Sequence, residues 1–165
     1  MTEPMSDESA LCTACGLCCT GALHDWAHLD EDEVDAAAAM GLPVGPPSAP
    51  PRFSLPCPKL SGATCTIYGS RPRVCAAYAC RLLEQVREGR PLDDALGVVA
   101  EAHRLAGELR AALGPGASYS DNRAHFFNAS RDPATQLSSF AFTHYLDRHF
   151  RNRNEGPVLT SELTK

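Results

Sequence analysis

Two stretches in the second half of the chain carry apolar residues at helical spacing. Between residues 92 and 113 the apolar positions recur on one face, an Asp-Asp pair stands at the start, and Gly-Pro follows the end. Acidic residues favour the first turn of a helix and Gly-Pro ends one, so this pattern predicts an amphipathic helix. Asp132-Pro133 is a typical helix start and predicts a second helix to about residue 150, with apolar positions at Leu137, Phe140, Ala141, Tyr145 and Phe150.

The first half of the chain predicts shorter elements. Residues 23–29 alternate in a period of two, which is typical of a short strand. Asp30 is suited to cap a helix over residues 30–40, because the acidic residues that follow it favour a first turn. Residues 43–51 contain five prolines and predict a stiff extended connector.

The later cysteines fall on a predicted hairpin and a predicted helix. Residues 53–60 and 64–68 flank Ser-Gly-Ala, which predicts a hairpin with Cys57 and Cys65 on its two arms. Residues 74–87 have helical composition up to a Gly and a Pro, so Cys75 and Cys80 are expected on that helix or its first turns.

Together these elements predict an α+β fold that is predominantly helical. An irregular cysteine-rich lobe with a small β-hairpin is expected to pack on C-terminal helices, all within one domain, since 165 residues leave little room for two cores. We expect residues 10–90 to form a cysteine-cluster metal-binding region and residues 91–152 a helical support. Residues 1–9 and 153–165 are expected to be flexible tails.

Composition and charge exclude several classes of function. The net charge is −5 and no run of Lys and Arg is long enough to bind nucleic acid. A membrane helix needs about 20 apolar residues in succession, and no such run occurs. The first eight residues are acidic and lack an apolar segment, so we expect no secretory signal and a cytoplasmic protein. No protein partner can be inferred.

Eight cysteines are the chemically informative residues of the chain. Cytoplasmic thiols are kept reduced, so the cysteines are expected to bind metal before they form disulfides. Their pattern is Cx2Cx2CC, then 37 residues, then Cx7Cx9Cx4C. The expected metal ligands are Cys12, Cys15, Cys18, Cys19, Cys57, Cys65, Cys75 and Cys80.

The spacing bears on the metal and on the grouping of ligands. Three cysteines at two-residue gaps begin the bacterial ferredoxin run, and the later cysteines form no second zinc knuckle, which places an iron-sulfur cluster such as 4Fe-4S slightly ahead of zinc. Adjacent Cys18 and Cys19 point apart and converge on one ion only with strain. Two arrangements remain: two sites, one of them with three early cysteines and one distant cysteine, or one occupied site with spare thiols.

The charge around the later cysteines favours an anionic centre. Residues 36–83 contain no Asp or Glu, although the chain as a whole is acidic, and they carry five Lys or Arg residues. Metal centres with thiolate ligands are usually anionic, so nearby cations and the exclusion of carboxylates would stabilise them.

The ordered motifs resemble a known family. The chain is similar to the CxxCxxCC (YkgJ-like) family of zinc- or iron-chelating domains over about residues 10–82, and the resemblance implies chelation of zinc or iron. Members often carry Arg after the cysteine that precedes Ala76, so we expect that basic contact either to be lost or to be supplied by Arg73 or Arg81. The matching motifs are Cys12-x-x-Cys15-Gly16-x-Cys18-Cys19, Cys57-Pro58-x-Leu60 and Cys65-x-Ile67-Tyr68-x-x-Arg71-Pro72-x-x-Cys75-x-x-Tyr78-x-Cys80.

Three functions are compatible with these observations. The first is non-catalytic metal binding in a structural, metal-handling or electron-transfer role. The second is an iron-sulfur-dependent modifying enzyme or an accessory of one, although no catalytic residue is recognisable. The third is a metal-free thiol redox protein that uses Cys12 and Cys15, but the βαβ context of such proteins is missing and six cysteines stay unexplained.

Overall fold

The computed structural model describes residues 5–124, 126 and 132–152. The chain divides into two compact units, one formed by Cys12–Ala79 and the other by Met1–Leu11 with Cys80–Lys165. The described elements confirm a predominantly helical α+β fold. In chain order they are α1 (Asp7–Cys15), β1 (Trp26–His28), α2 (Val34–Ala39), β2 (Arg52–Ser54), β3 (Leu60–Ser61), β4 (Thr64–Cys65), α3 (Arg73–Ala77), α4 (Arg81–Arg87), α5 (Leu92–Leu113), α6 (Tyr119–Ala124) and α7 (Pro133–His149).

Helix α1 begins within the stretch that the sequence predicted as a flexible lead. The hydroxyl of Ser6 accepts the backbone N–H of Ser9 at 3.3 Å, and Asp7 and Glu8 occupy the first turn. A serine before the helix and acidic residues at its positive end both stabilise a helix start, so order begins at Asp7. The other predicted tail residues, 1–4 and 153–165, lie outside the described residues.

The strands of the cysteine-rich unit are shorter than predicted. Strand β1 lies within the predicted strand and pairs antiparallel with β2, with Ala27 opposite Phe53. The predicted hairpin is confirmed only at its tip, where β3 and β4 pair with Leu60 opposite Cys65. Pro56 and Pro58 have no backbone N–H to donate, so a continuous arm through this stretch cannot form a regular ladder.

The acidic helix and the proline-rich connector fold back on the same small sheet. Glu31–Glu33 form a 3₁₀ turn before α2, and the carboxylate of Glu33 accepts the backbone N–H of Asp30 at 3.4 Å. The connector carries an isolated bridge between Val44 and Phe53. The predicted helix over residues 30–40 is therefore split into a 3₁₀ turn and a shorter α-helix.

A small apolar core lies behind the later cysteines. It consists of four buried side chains and a ring of partly buried ones that includes Cys57 and Cys75. Packing of this kind restricts the positions of both sulfur-bearing side chains. The four buried residues are Leu29, Ala37, Leu42 and Phe53.

The helix predicted over residues 74–87 is wrong at its middle. The chain leaves helical geometry at Tyr78 and re-enters it after Cys80, which gives separate helices α3 and α4. The backbone N–H of Arg81 donates to the carbonyl oxygen of Phe150 at 3.0 Å, so a distant partner replaces the bond that a continuous helix would have made. Cys75 therefore lies on α3, whereas Cys80 precedes α4.

The two long helices of the other unit are confirmed, but one of them buries an unexpected face. Helix α5 has the predicted bounds. On α7, Leu137 and Phe140 are 70% and 59% exposed, and the buried face instead includes Thr135 and Ser139. Hydroxyl donors are buried at low cost when they find acceptors, and these two donate to the Ala112 carbonyl at 3.2 Å and to Asn122 at 2.9 Å.

None of the helices within the described ranges combines the length and the apolar character that a membrane span requires.

Gly16 joins the early cysteine loop to the hairpin tip. It has a φ of 61°, and a Cβ atom there would lie 2.7 Å from the carbonyl oxygen of Ala63. The hydroxyl of Thr64 donates to the carbonyl oxygen of Thr13 at 3.4 Å across the same contact. The loop and the hairpin can approach this closely because residue 16 has no side chain.

We predict that G16A destabilises the cysteine-rich unit more than G62A does. Both glycines have a positive φ, near 60°, but a Cβ at Gly62 would meet nothing within 4 Å. The backbone strain in G62A should cost about 1–2 kcal/mol, and overlap with Ala63 should add about 1–3 kcal/mol in G16A. Denaturant unfolding followed by the fluorescence of the single tryptophan, Trp26, reports on this unit. Equal midpoints for the two variants would contradict the close contact.

Candidate metal centre

The early cysteines lie at the end of α1 and in the turn that follows. Cys12 and Cys15 are three residues apart on the helix, so their side chains share a face. Gly16 then takes the left-handed conformation, and the backbone N–H of Cys19 donates to its carbonyl oxygen at 3.0 Å. The turn thereby carries Cys18 and Cys19 away from the helix axis.

Backbone hydrogen bonds tie Cys19 to the hairpin cysteines. The N–H of Cys57 donates to the carbonyl oxygen of Cys19 at 2.7 Å. The N–H of Leu60 donates to the carbonyl oxygen of Cys57 at 3.2 Å, and Leu60 is the partner of Cys65 in the β3–β4 pair. Three cysteines from distant parts of the sequence are therefore linked through two backbone contacts and one strand pair.

Ion pairs of Arg73 hold the start of α3, the helix that carries Cys75. The backbone N–H of Arg73 donates to the carboxylate of Glu33 at 2.8 Å. Its side chain binds Asp30 at 2.8 Å and also Asp32. The groups are exposed, so the pairs contribute little stability singly, but together they fix the start of α3 beside the acidic turn.

Four thiols influence one another through their charges. Burial, and after it the charges of Cys57, Cys65 and Cys75, raise the pKa of Cys19 to about 12. Burial raises the pKa of Cys75 to about 11, again with contributions from Cys57 and Cys65. The pKa of Cys57 is also raised, chiefly by burial and then by the charge of Cys65. None of these four is in a disulfide.

Two basic residues lower the pKa of these thiols. Neither of them is Arg73 or Arg81, the two residues considered from the sequence. The charge of Arg71 lowers the pKa of Cys19 and of Cys75. A backbone hydrogen bond from Lys59, and then the charge of its side chain, lowers the pKa of Cys57. Arg73 is instead engaged by carboxylates, and Arg81 belongs to the other unit.

Arg71 was missed as an individual residue by the sequence analysis. In the sequence, Arg71 was counted only among the five basic residues of residues 36–83. Arg73 was expected at the site instead, because the carboxylates that bind it are distant in sequence and could not be recognised. The available signal was the Arg71-Pro72 pair in the matching motif, ten residues or fewer from Cys65 and Cys75.

The remaining cysteines are distributed between the two units. Cys12, Cys15 and Cys18 lie in the same unit as the four coupled thiols, and Cys80 lies in the other at the start of α4.

Tyr78 packs edge-on against His24 with ring centroids 5.1 Å apart. Over the described residues, no group of three or more His, Cys, Asp or Glu side chains has the arrangement of a complete metal site.

The donor chemistry of the coupled thiols fits zinc or iron. All four donors are sulfur, which suits zinc and iron-sulfur clusters and not hard cations such as magnesium or calcium. No carboxylate occurs between residues 36 and 83, and the charge of Glu33, before this stretch, raises the pKa of Cys75.

Comparison with known proteins agrees with this chemistry. A family model described as CxxCxxCC, a putative zinc- or iron-chelating domain, matches residues 11–93, which is half of the chain and includes all eight cysteines. No curated protein and no solved structure matches the chain. The chain therefore belongs to the CxxCxxCC family of zinc- or iron-chelating domains.

Proposed function

We propose that the chain binds metal through cysteine thiolates and that Cys19, Cys57, Cys65 and Cys75 hold one centre. The observation that carries the proposal is that the charges of the other three cysteines raise the pKa of Cys19, whose carbonyl oxygen also accepts the backbone N–H of Cys57. Four thiolates brought together repel one another, and a bound metal cation offsets that repulsion.

The raised pKa values define how metal would be taken up. With pKa values of about 12 and about 11, Cys19 and Cys75 are protonated at neutral pH when no metal is bound. Thiolates are the ligands, so metal binding displaces their protons and becomes tighter as pH rises.

For the metal itself, we propose an iron-sulfur cluster ahead of zinc. The later cysteines form no second zinc knuckle, and the Cx2Cx2C spacing of the early cysteines, outside this first centre, is shared with bacterial ferredoxins. The backbone hydrogen bond from Lys59 to Cys57 would orient this ligand for either metal. Zinc is the alternative, since the same sulfur donors suit it.

The other four cysteines stay proposed ligands of a further centre. Side chains of adjacent residues point apart, so assigning Cys19 to the first centre frees Cys18 to serve another. Cys12 and Cys15 precede it on one face of α1. We propose that Cys80 is also a ligand, without stating which of the two centres it binds.

The role that we propose for the first centre is structural or electron-transferring. The apolar cluster behind the later cysteines has four buried side chains, which is small, and small units commonly need metal to be stable. A modifying enzyme remains the alternative on sequence grounds, and metal handling a third role.

The position of Cys12 and Cys15 does not favour a thiol redox protein. A reactive CxxC thiol is usually activated at a helix N-terminus, where the dipole lowers its pKa. Here Cys15 is the last residue of α1, at the end where the dipole disfavours a thiolate.

We predict that single Cys→Ser changes at residues 19, 57, 65 and 75 remove the same metal. Each variant, purified anaerobically, should lose the iron and sulfide, or the zinc, of one centre, because each removes one of its four sulfur ligands. The double variant C12S/C15S is the matched control and should keep that centre. Elemental analysis with a visible spectrum measures the outcome.

The same experiment identifies the metal. Brown protein that contains iron and sulfide supports the cluster. Colourless protein that contains zinc shows that the centre binds zinc instead. Full metal content in C75S would contradict the proposed ligand set.

We predict opposite pH dependences for metal-free and metal-loaded protein. A thiol whose pKa is raised from 9.0 toward 12 in the folded state contributes stability that is lost as pH rises above 9.0. Metal-free protein should therefore lose stability over that range, and C19A should lose less. Metal-loaded protein should not, because its thiolates are already deprotonated. Denaturant unfolding followed by Trp26 fluorescence checks both, and equal pH profiles would contradict thiolate ligation.

A further inference from the structure

Arg71 has a buried hydrogen-bond donor without an acceptor among the described residues. Its guanidinium carbon lies 3.7 Å from the centroid of the Tyr68 ring, a cation–π contact. Its Nε atom is buried and has no hydrogen-bond partner among the described residues. A buried donor without an acceptor is unfavourable, so this donor is placed for an acceptor that the described residues do not supply.

Arg71 acts electrostatically on two thiols of the proposed centre. The charge of Arg71 acts on Cys19 and on Cys75. The neighbouring Arg73 is engaged by Asp30 and by two further carboxylates of the acidic turn. Arg71 is thus the arginine whose charge and unused donor are both available to the thiolates.

We propose that the Nε–H of Arg71 donates a hydrogen bond to a ligand sulfur, Cys19 or Cys75, when metal is bound, and that Tyr68 holds the guanidinium in place. This inference rests on the proposed function of the four cysteines. Arg71 is a positioning residue, since it acts on the metal through the sulfur and does not touch the metal itself.

Two consequences follow from such a bond. It fixes the orientation of the ligand and offsets part of the negative charge of the centre, and partners of this kind typically change metal affinity 10–100-fold. It also lowers the energy of the sulfur donor orbitals, so a sulfur-to-metal charge-transfer band moves to longer wavelength when the bond is lost.

Cobalt(II) is a suitable probe, because it replaces zinc at thiolate sites and shows charge-transfer bands. In R71M, we expect cobalt and zinc affinity to fall about 10–100-fold and the band to move to longer wavelength. R71K keeps the charge but not the Nε–H, so it should recover affinity in part and leave the band shifted. R52M is the matched control, since Arg52 stacks 4.5 Å from the Trp26 ring in the same unit.

The outcomes separate this inference from the proposed function. Failure of the unaltered protein to hold cobalt, zinc or an iron-sulfur cluster would overturn both. Tight binding with an unshifted band in R71M would overturn the role of Arg71 alone, as would an R52M effect of equal size. If R71M does not fold, Y68L and its control Y68F test the same arrangement. Y68L removes the ring and should shift the band, whereas Y68F removes only the hydroxyl and should not. Equal effects of the two variants would overturn the inference.

Discussion

The repulsion among four neighbouring thiolates is the constraint on which this account depends. Burial raises the pKa of Cys19 and Cys75, and each further negative charge in the group makes the next harder to form. Such a group is stable either as neutral thiols or as thiolates around a cation. The absence of carboxylates from residues 36–83 and the presence of Arg71 and Lys59 both favour the second state.

The fold of the cysteine-rich unit links these four cysteines with very little regular structure. A backbone bond links Cys57 to Cys19, a two-residue strand pair places Cys65, and an ion-pair cluster holds the helix that carries Cys75. The core behind them has four buried residues. A metal centre would therefore add cross-links where apolar burial is scarce, which is how small metal-binding units usually gain stability.

The parts of the fold that the sequence predicted well are those with local causes. The bounds of α5 follow from its apolar period, its acidic start and the Gly-Pro after it. The break between α3 and α4 depends on the distant Phe150 carbonyl, and the buried face of α7 depends on acceptors for Thr135 and Ser139. The choice of Arg71 over Arg73 likewise depends on carboxylates some forty residues away.

The most direct test is differential alkylation of the metal-loaded protein, with each cysteine quantified by mass spectrometry. The account predicts that, in mild denaturant that exposes buried thiols, Cys19, Cys57, Cys65 and Cys75 are protected together while metal is bound and become reactive together when a chelator removes it. Protection of these four that is unchanged by metal removal, or a reactive Cys75 beside three protected partners, would contradict a shared centre.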